Sequence, residues 1–338
     1  MLSLQHPLMP TRRQLALFLG ASTLSTLAPA NPTAPSTDWQ EHTTETPDGP
    51  LAYARAGQGP LLVLLPGGPG GSGWALRHWS ASLTDHFTVV VLDNIGRGRS
   101  ERLADPRRYT LARDVEDLER LRQHLGQERL CVYGHSYGGL LAQAWGAAHP
   151  QRVRGLILGN TLHGARAWQE QLERCKAQVR FQHPAVWAQW QADRARGLRS
   201  DRDAFDTLLS PCLDTLYWHN PEHAGRKPPV GPPPSPQPER DRLNRTVYLA
   251  MLGDDPEWEV GGTLAGVEML PQLPRIQAPA LVLSGRADRI CPPSAAQEIA
   301  SVLPQAQCHV FEGSGHRPFV EEPEAWALRV AGFGRSLD

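Results

Sequence analysis

Residues 132–139 read VYGHSYGG, which sets Ser136 between Gly134 and Gly138, directly after an apolar run and directly before a helix-forming one. A serine hydroxyl is a weak nucleophile until a base takes its proton and a third group orients the base. A sharp strand-to-helix turn lifts Oγ above the sheet edge, and the helix N-terminus favours the negative charge that develops there. The turn leaves no room for Cβ atoms on either side, hence the flanking glycines. The bland alternative is an ordinary turn serine, and the strand and helix patterns around it argue against that.

Such a serine needs partners. After strand-like LVLSG comes Asp288, and after HVFEGSG comes His316. The order Ser, Asp, His suits this turn, and both partners fall at strand C-terminal ends, where open α/β sheets build their sites. Thirteen histidines compete for the base. His135 sits beside the serine but points away, as a structural residue, and His309 lies within a strand. Asp93 precedes the serine and braces its own loop, and Glu312 is too close to His316 in sequence. Acyl transfer also needs backbone donors for an oxyanion. The amide of Tyr137 is one, and Gly68, in LLPGGPGGSG, supplies the other. No Lys-Ser or Lys-Thr follows those glycines, so they do not form a phosphate-cradling loop.

The elements that must position these residues follow from periodicity. LAYARAG, PLLVLLPGG, HFTVVVLDN, RLCVYG, VRGLILGN, PALVLSG and CHVFEG read as strands, several of them continuously apolar, as strands buried on both faces are. TLARDVEDLERLRQHLG, YGGLLAQAWGAAHP, PSAAQEIASVL and PEAWALRVAGFG read as helices. Alternating apolar strands and amphipathic helices imply an α/β fold with a mostly parallel sheet covered on both faces. Residues 162–272 break the rhythm. They carry Trp168, Trp187, Trp190, Trp218 and Trp258 and the extended loop KPPVGPPPSPQPER, and they are read as an inserted, mainly helical cap. The core then comprises residues 31–161 and 273–338.

The chain has 338 residues, with 34 basic and 35 acidic side chains and a formal net charge of −1. That balance offers no electrostatic footprint for nucleic acid. Residues 1–30 form a separate segment: Arg12-Arg13, an apolar run from Leu15 to Leu27, then Ala28-Pro29-Ala30. Its apolar run is too short for a membrane span, which takes about 20 residues. The pattern is that of a cleavable export signal of twin-arginine type, leading to the periplasm or beyond. Five cysteines without a C-x-x-C pair give no structural metal site. Cys131 and Cys308 read as buried strand residues, and Cys175 and Cys212 could pair in an oxidising compartment.

PGGPGGSG, VVVLDNIGRGRS, GHSYGG, GRADRICPP and GSGHRPFVEEPE together resemble the proline iminopeptidase family of the α/β-hydrolase fold, from about residue 45 to the end. The family's H-G-G-P-G loop stands here as Pro66-Gly67-Gly68-Pro69-Gly70. The missing histidine bears on how the loop is anchored, not on the oxyanion amide. In YLAMLGDDPEWEVGGTLAG, Glu257 and Trp258 are similar to the family's G-x-x-E-F segment, with one extra residue of spacing. The resemblance implies that Glu257 binds a substrate α-amino group, with Glu239 as a second carboxylate. A carboxylate in an aromatic roof is also what a buried ammonium requires. The resulting expectation is a serine aminopeptidase acting on small peptides or aminoacyl amides without metal or organic cofactor. An esterase, lactonase or amidase with the same triad is the alternative, and a non-catalytic binding protein a more distant one. Dehalogenase and epoxide hydrolase chemistry would need an acid in place of Ser136.

Overall fold

The computed structural model describes residues 38–228 and 235–337, so the signal-like segment and the centre of the proline loop lie outside the described residues. Eight strands are β1 (Gln40–Thr46), β2 (Gly49–Ala56), β3 (Leu61–Leu65), β4 (Thr88–Asp93), β5 (Leu130–His135), β6 (Val153–Gly159), β7 (Ala280–Gly285) and β8 (Ala306–Phe311). They form one sheet in the order β1-β2-β4-β3-β5-β6-β7-β8. β1, β2 and β4 pair antiparallel, and every pairing from β4–β3 to β7–β8 is parallel.

Each central strand alternates between two apolar layers, as the two-residue period of a strand dictates. Val63 and Leu65, Val90 and Leu92, and Leu130 and Val132 face one layer. Leu62 and Leu64, Val89 and Val91, and Cys131 and Tyr133 face the other. Helices cover both faces: α1 (Trp74–Trp79), α2 (Leu111–His124) and α3 (Tyr137–Ala148) in the first half of the chain. The segment between β6 and β7 holds α4 (Ala165–Gln182), α5 (Pro184–Ala195), α6 (Asp203–Tyr217), α7 (Pro238–Asp241) and α8 (Arg245–Leu252). The last three are α9 (Pro293–Val302), α10 (Pro318–Glu321) and α11 (Pro323–Arg335). Trp145 of α3 and Trp326 of α11 are fully buried anchors of the two layers. Burial of side chains of this size is worth about 3 kcal/mol each.

One strand carries no sequence signal, and one sequence expectation needs correction. β1 has no apolar face, so its sequence, QEHTTET, gives no strand signal. It pairs along its whole length with β2, and the Asp48 carboxylate of the connecting turn binds Arg108 at 2.6 Å and also Arg113 of α2. Cys308 is exposed rather than buried, because β8 is the terminal strand and presents one side to solvent. All five cysteines are free thiols, including Cys175 and Cys212, which border the same aromatic cluster in the inserted segment.

Backbone packing is tight at the β5–α3 junction. A Cβ on Gly138 would stand 2.3 Å from the Leu65 carbonyl oxygen and 2.7 Å from that of Pro66, neither of which is a movable side chain. By contrast Gly126, which ends α2 at φ +65°, has open space around it. Gly138→Ala should therefore lower unfolding free energy by about 3 kcal/mol, the upper range for overpacking. Gly126→Ala should cost about 1 kcal/mol, the strain of a left-handed residue alone. Denaturant titration of both variants checks this; equal losses would mean that the junction is looser than described.

Candidate active site

Ser136 joins β5 to α3 with φ 56° and ψ −121°, a conformation that costs a non-glycine residue energy and has to be held by its surroundings. The hold is made of backbone. Ser136 N–H donates to the Gly159 carbonyl at 2.9 Å, and the Ser136 carbonyl accepts from Gly139 N–H at 2.9 Å and from Thr161 Oγ1 at 2.6 Å. On the other side, a Cβ on Gly67 would come within 2.9 Å of the Ser136 Cβ.

Asp288 and His316 follow β7 and β8 and meet, with His316 Nδ1 2.9 Å from Asp288 Oδ2. The Asp288 carboxylate is fully subscribed: Oδ1 accepts from the amides of Ile290 and Cys291 at 2.8 Å each, and Oδ2 also accepts from Asn160 Nδ2 at 2.8 Å. These bonds fix the plane of the carboxylate. Asn160, at φ 50° beyond the end of β6, donates as well to the Gly315 carbonyl at 3.1 Å, tying together the loops that carry the acid and the base. His316 N–H donates to the Tyr217 carbonyl at 2.7 Å, and the Tyr217 ring meets the imidazole edge-on at 5.3 Å. The end of α6 thus supports His316. His135 does not turn away from this group. Its ring lies 4.8 Å from that of His316 and 5.0 Å from Phe319. Burial, with His316 and Arg317 nearby, pushes its pKa well below the usual imidazole range, so it is a neutral platform.

Gly68 has φ +60° and borders the same cavity as Ser136 and His316. Among the described residues no acceptor is paired with the Gly68 or Tyr137 amide, so both remain available to a developing oxyanion. The glycine loop is anchored without a histidine. Pro69 carbonyl accepts from Arg97 Nε at 2.5 Å, Gly70 carbonyl from Asn244 N–H at 2.8 Å, and Gly73 N–H donates to Asp93 Oδ1 at 2.6 Å. Asp93 also accepts from Arg99 N–H at 3.1 Å and therefore braces both loops.

The cavity above Ser136 measures about 570 Å³, and Glu257 and Tyr248 border it together with Ser136, Gly68 and His316. Glu257 accepts from the Tyr248 hydroxyl at 3.0 Å and makes no ion pair among the described residues. Burial raises its pKa, and the Tyr248 bond opposes that rise. Asp206 and Asp241 border the cavity too, but each is paired with a cation: Asp206 with Arg245 at 2.9 Å and Asp241 with Arg99 at 2.8 Å. Sequence reasoning missed both, because neither lies in a recognisable pattern.

The other two residues read as substrate contacts lie elsewhere. Glu239 is exposed on α7 and does not border the cavity; the helix turns it outward while the chain beyond descends to Asp241. Trp258 is packed between the Arg194 guanidinium at 3.7 Å and the Lys176 ammonium at 4.1 Å, stacked near Trp187 and edge-on to Trp190. It holds the roof together rather than lining the cavity. Cys291 is a further neighbour missed from sequence. Its Sγ lies within 4.8 Å of ligating atoms of Asp288 and His316, and burial pushes its thiol well above the usual range. A protonated thiol beside a histidine already bonded through Nδ1 is a poor metal-binding set.

The comparisons agree with this geometry. A family model described as the alpha/beta hydrolase fold matches residues 60–323. A proline iminopeptidase of Lactiplantibacillus plantarum is 30% identical over 278 residues, covering 80% of this chain and 90% of that one. One of Heyndrickxia coagulans is 27% identical over 281 residues, covering 83% and 92%. The crystal structure of proline iminopeptidase from Mycobacterium smegmatis superposes with a TM-score of 0.71 at 25% identity, covering 88% of this chain and 98% of that one. The chain therefore belongs to the α/β-hydrolase family, within it to the proline iminopeptidases.

Proposed function

We propose that this protein is a serine aminopeptidase that releases the N-terminal residue, proline among them, from small peptides or aminoacyl amides. The observation that carries the reading is Glu257: a partly buried carboxylate free of any ion pair among the described residues, bordering the same cavity as Ser136 and His316. A substrate α-ammonium is costly to desolvate unless a carboxylate meets it. Ser136 Oγ attacks the carbonyl of the first peptide bond while His316 takes its proton. Asp288 holds the imidazole in orientation and stabilises the imidazolium. The amides of Gly68 and Tyr137 receive the oxyanion, and His316 returns the proton to the leaving amine. Water then hydrolyses the acyl-enzyme by the same route. The names of the relatives support proline as a residue at the scissile bond.

The triad would serve an ester equally well, so the amine site is what separates the readings. L-Prolyl and L-alanyl arylamides should be cleaved, and N-acetylation should abolish most of the rate. Glu257→Gln should lose about tenfold or more in kcat/KM on the free amine, since a charged hydrogen bond is worth about 1.5–3 kcal/mol. It should lose much less on a neutral ester of similar shape. The carboxylate must be ionised, and its pKa is raised, so kcat/KM for the free amine should fall as pH drops through a value above the ordinary glutamate range. That acid limb should be steeper than the limb for the ester, and Glu257→Gln should remove the extra steepness. Equal rates on free and acetylated substrates, with Glu257→Gln silent on both, would sink the aminopeptidase reading.

The reading includes export. Arg12-Arg13, the apolar run and Ala28-Pro29-Ala30 support a twin-arginine-type signal cleaved after Ala30, with the enzyme acting in the periplasm or outside the cell. Changing both arginines to lysine should leave full-length protein in the cytoplasm, and the wild-type protein should begin near Asn31. Intact Met1 on the fractionated mature protein would contradict it.

A further inference from the structure

A buried ion pair that the reaction does not use lies beneath the oxyanion donors. Arg97 is 2% exposed and Asp114 is fully buried. Their contact is bidentate, Nη1 to Oδ1 and Nη2 to Oδ2 at 2.7 Å each. A buried pair of this kind adds little net stability over apolar residues of the same volume, so its stability alone does not explain it. What it touches is more telling. Arg97 Nε donates to the carbonyl of Pro69, the residue after Gly68. Asp114 Oδ2 accepts from the hydroxyl of Tyr137, at 2.5 Å. The donors assigned to the oxyanion therefore come from two distant stretches of chain, and one planar guanidinium–carboxylate unit grips both stretches. Arg97 Nη1 also donates to the Ile95 carbonyl at 2.7 Å, which fixes the guanidinium in its own loop.

We propose that Arg97 and Asp114 are positioning residues of the oxyanion hole, setting the spacing of the Gly68 and Tyr137 amides through Pro69 and the Tyr137 phenol. In this chain the pair does the anchoring that Pro66 cannot. Donors aimed at a developing charge lose effect steeply when displaced, so the pair acts on the transition state far more than on substrate binding. The inference rests on the acyl-transfer reading of Ser136, but it holds for amide and ester alike, because both pass through the same oxyanion.

Tyr137→Phe tests it with little disturbance, since only the hydroxyl is removed. Expected is a fall in kcat of about tenfold, on both L-prolyl p-nitroanilide and p-nitrophenyl acetate, with KM within about twofold. Rates are referred to active sites counted by fluorophosphonate titration, well below the melting temperature. Arg97→Lys keeps the charge but loses the fork, and should fall further, to about a hundredth of the wild-type kcat. If it does not fold, Tyr137→Phe decides alone. A merely structural role would lower the melting temperature and leave kcat per active site unchanged on both substrates, and that result overturns the proposal. A wild type that cleaves only the ester would fail the aminopeptidase reading while leaving the variant ratio meaningful. A wild type idle on both substrates would overturn the two together.

Discussion

Everything in the site hangs on one strained serine. Ser136 occupies a left-handed backbone conformation that the chain tolerates only because β3, β6 and the start of α3 close around it. The same close packing that excludes a side chain at Gly138 brings the Gly67-Gly68 loop against the serine. The strain at Ser136, the exposure of its side chain and the approach of the glycine loop are therefore consequences of one backbone arrangement. The parallel centre of the sheet does the rest, because it ends β5, β6, β7 and β8 along one edge and so delivers Ser136, Asn160, Asp288 and His316 to neighbouring positions.

The inserted segment contributes more than a lid. Its first helices form an aromatic cluster around Trp190 and Phe205, which Ile290 of the Asp288 loop also joins. Its α6 ends on the backbone of His316. A later stretch, from Arg240 to Asn244, crosses back over the loop that follows β4: Arg240 donates to the carbonyls of Gly98 and Ser100, both at 3.1 Å, and Asn244 to that of Gly96 at 2.6 Å. Roof and catalytic floor are thus one hydrogen-bonded body, and the described residues fall within a single compact unit. Glu257 is tied into that roof, its amide donating to Ser200 Oγ at 3.1 Å and its carboxylate accepting from the Tyr248 hydroxyl at 3.0 Å.

The central strands were legible because burial on both faces writes an apolar run into the sequence, and Ser136, Asp288 and His316 because each follows a strand-like run. β1 was not, since an exposed edge strand is held by backbone hydrogen bonds that leave no composition signal. Cys308 misled for the converse reason: CHVF looks buried, but its strand is the last in the sheet. In the inserted segment the path of the chain, not its pattern, decides which carboxylates reach the cavity. Glu239 and Asp241 are neighbours on one short helix, yet only Asp241 borders it. Arg97 lies inside GRGRS, where no spacing in the sequence points to Asp114, the residue that the fold sets opposite it.

The central claim is that Ser136 performs the chemistry, and turnover of L-prolyl p-nitroanilide by Ser136→Ala tests it most directly. The account predicts that kcat falls by about 10⁴-fold or more with circular dichroism unchanged. Turnover near that of the wild-type protein would contradict it.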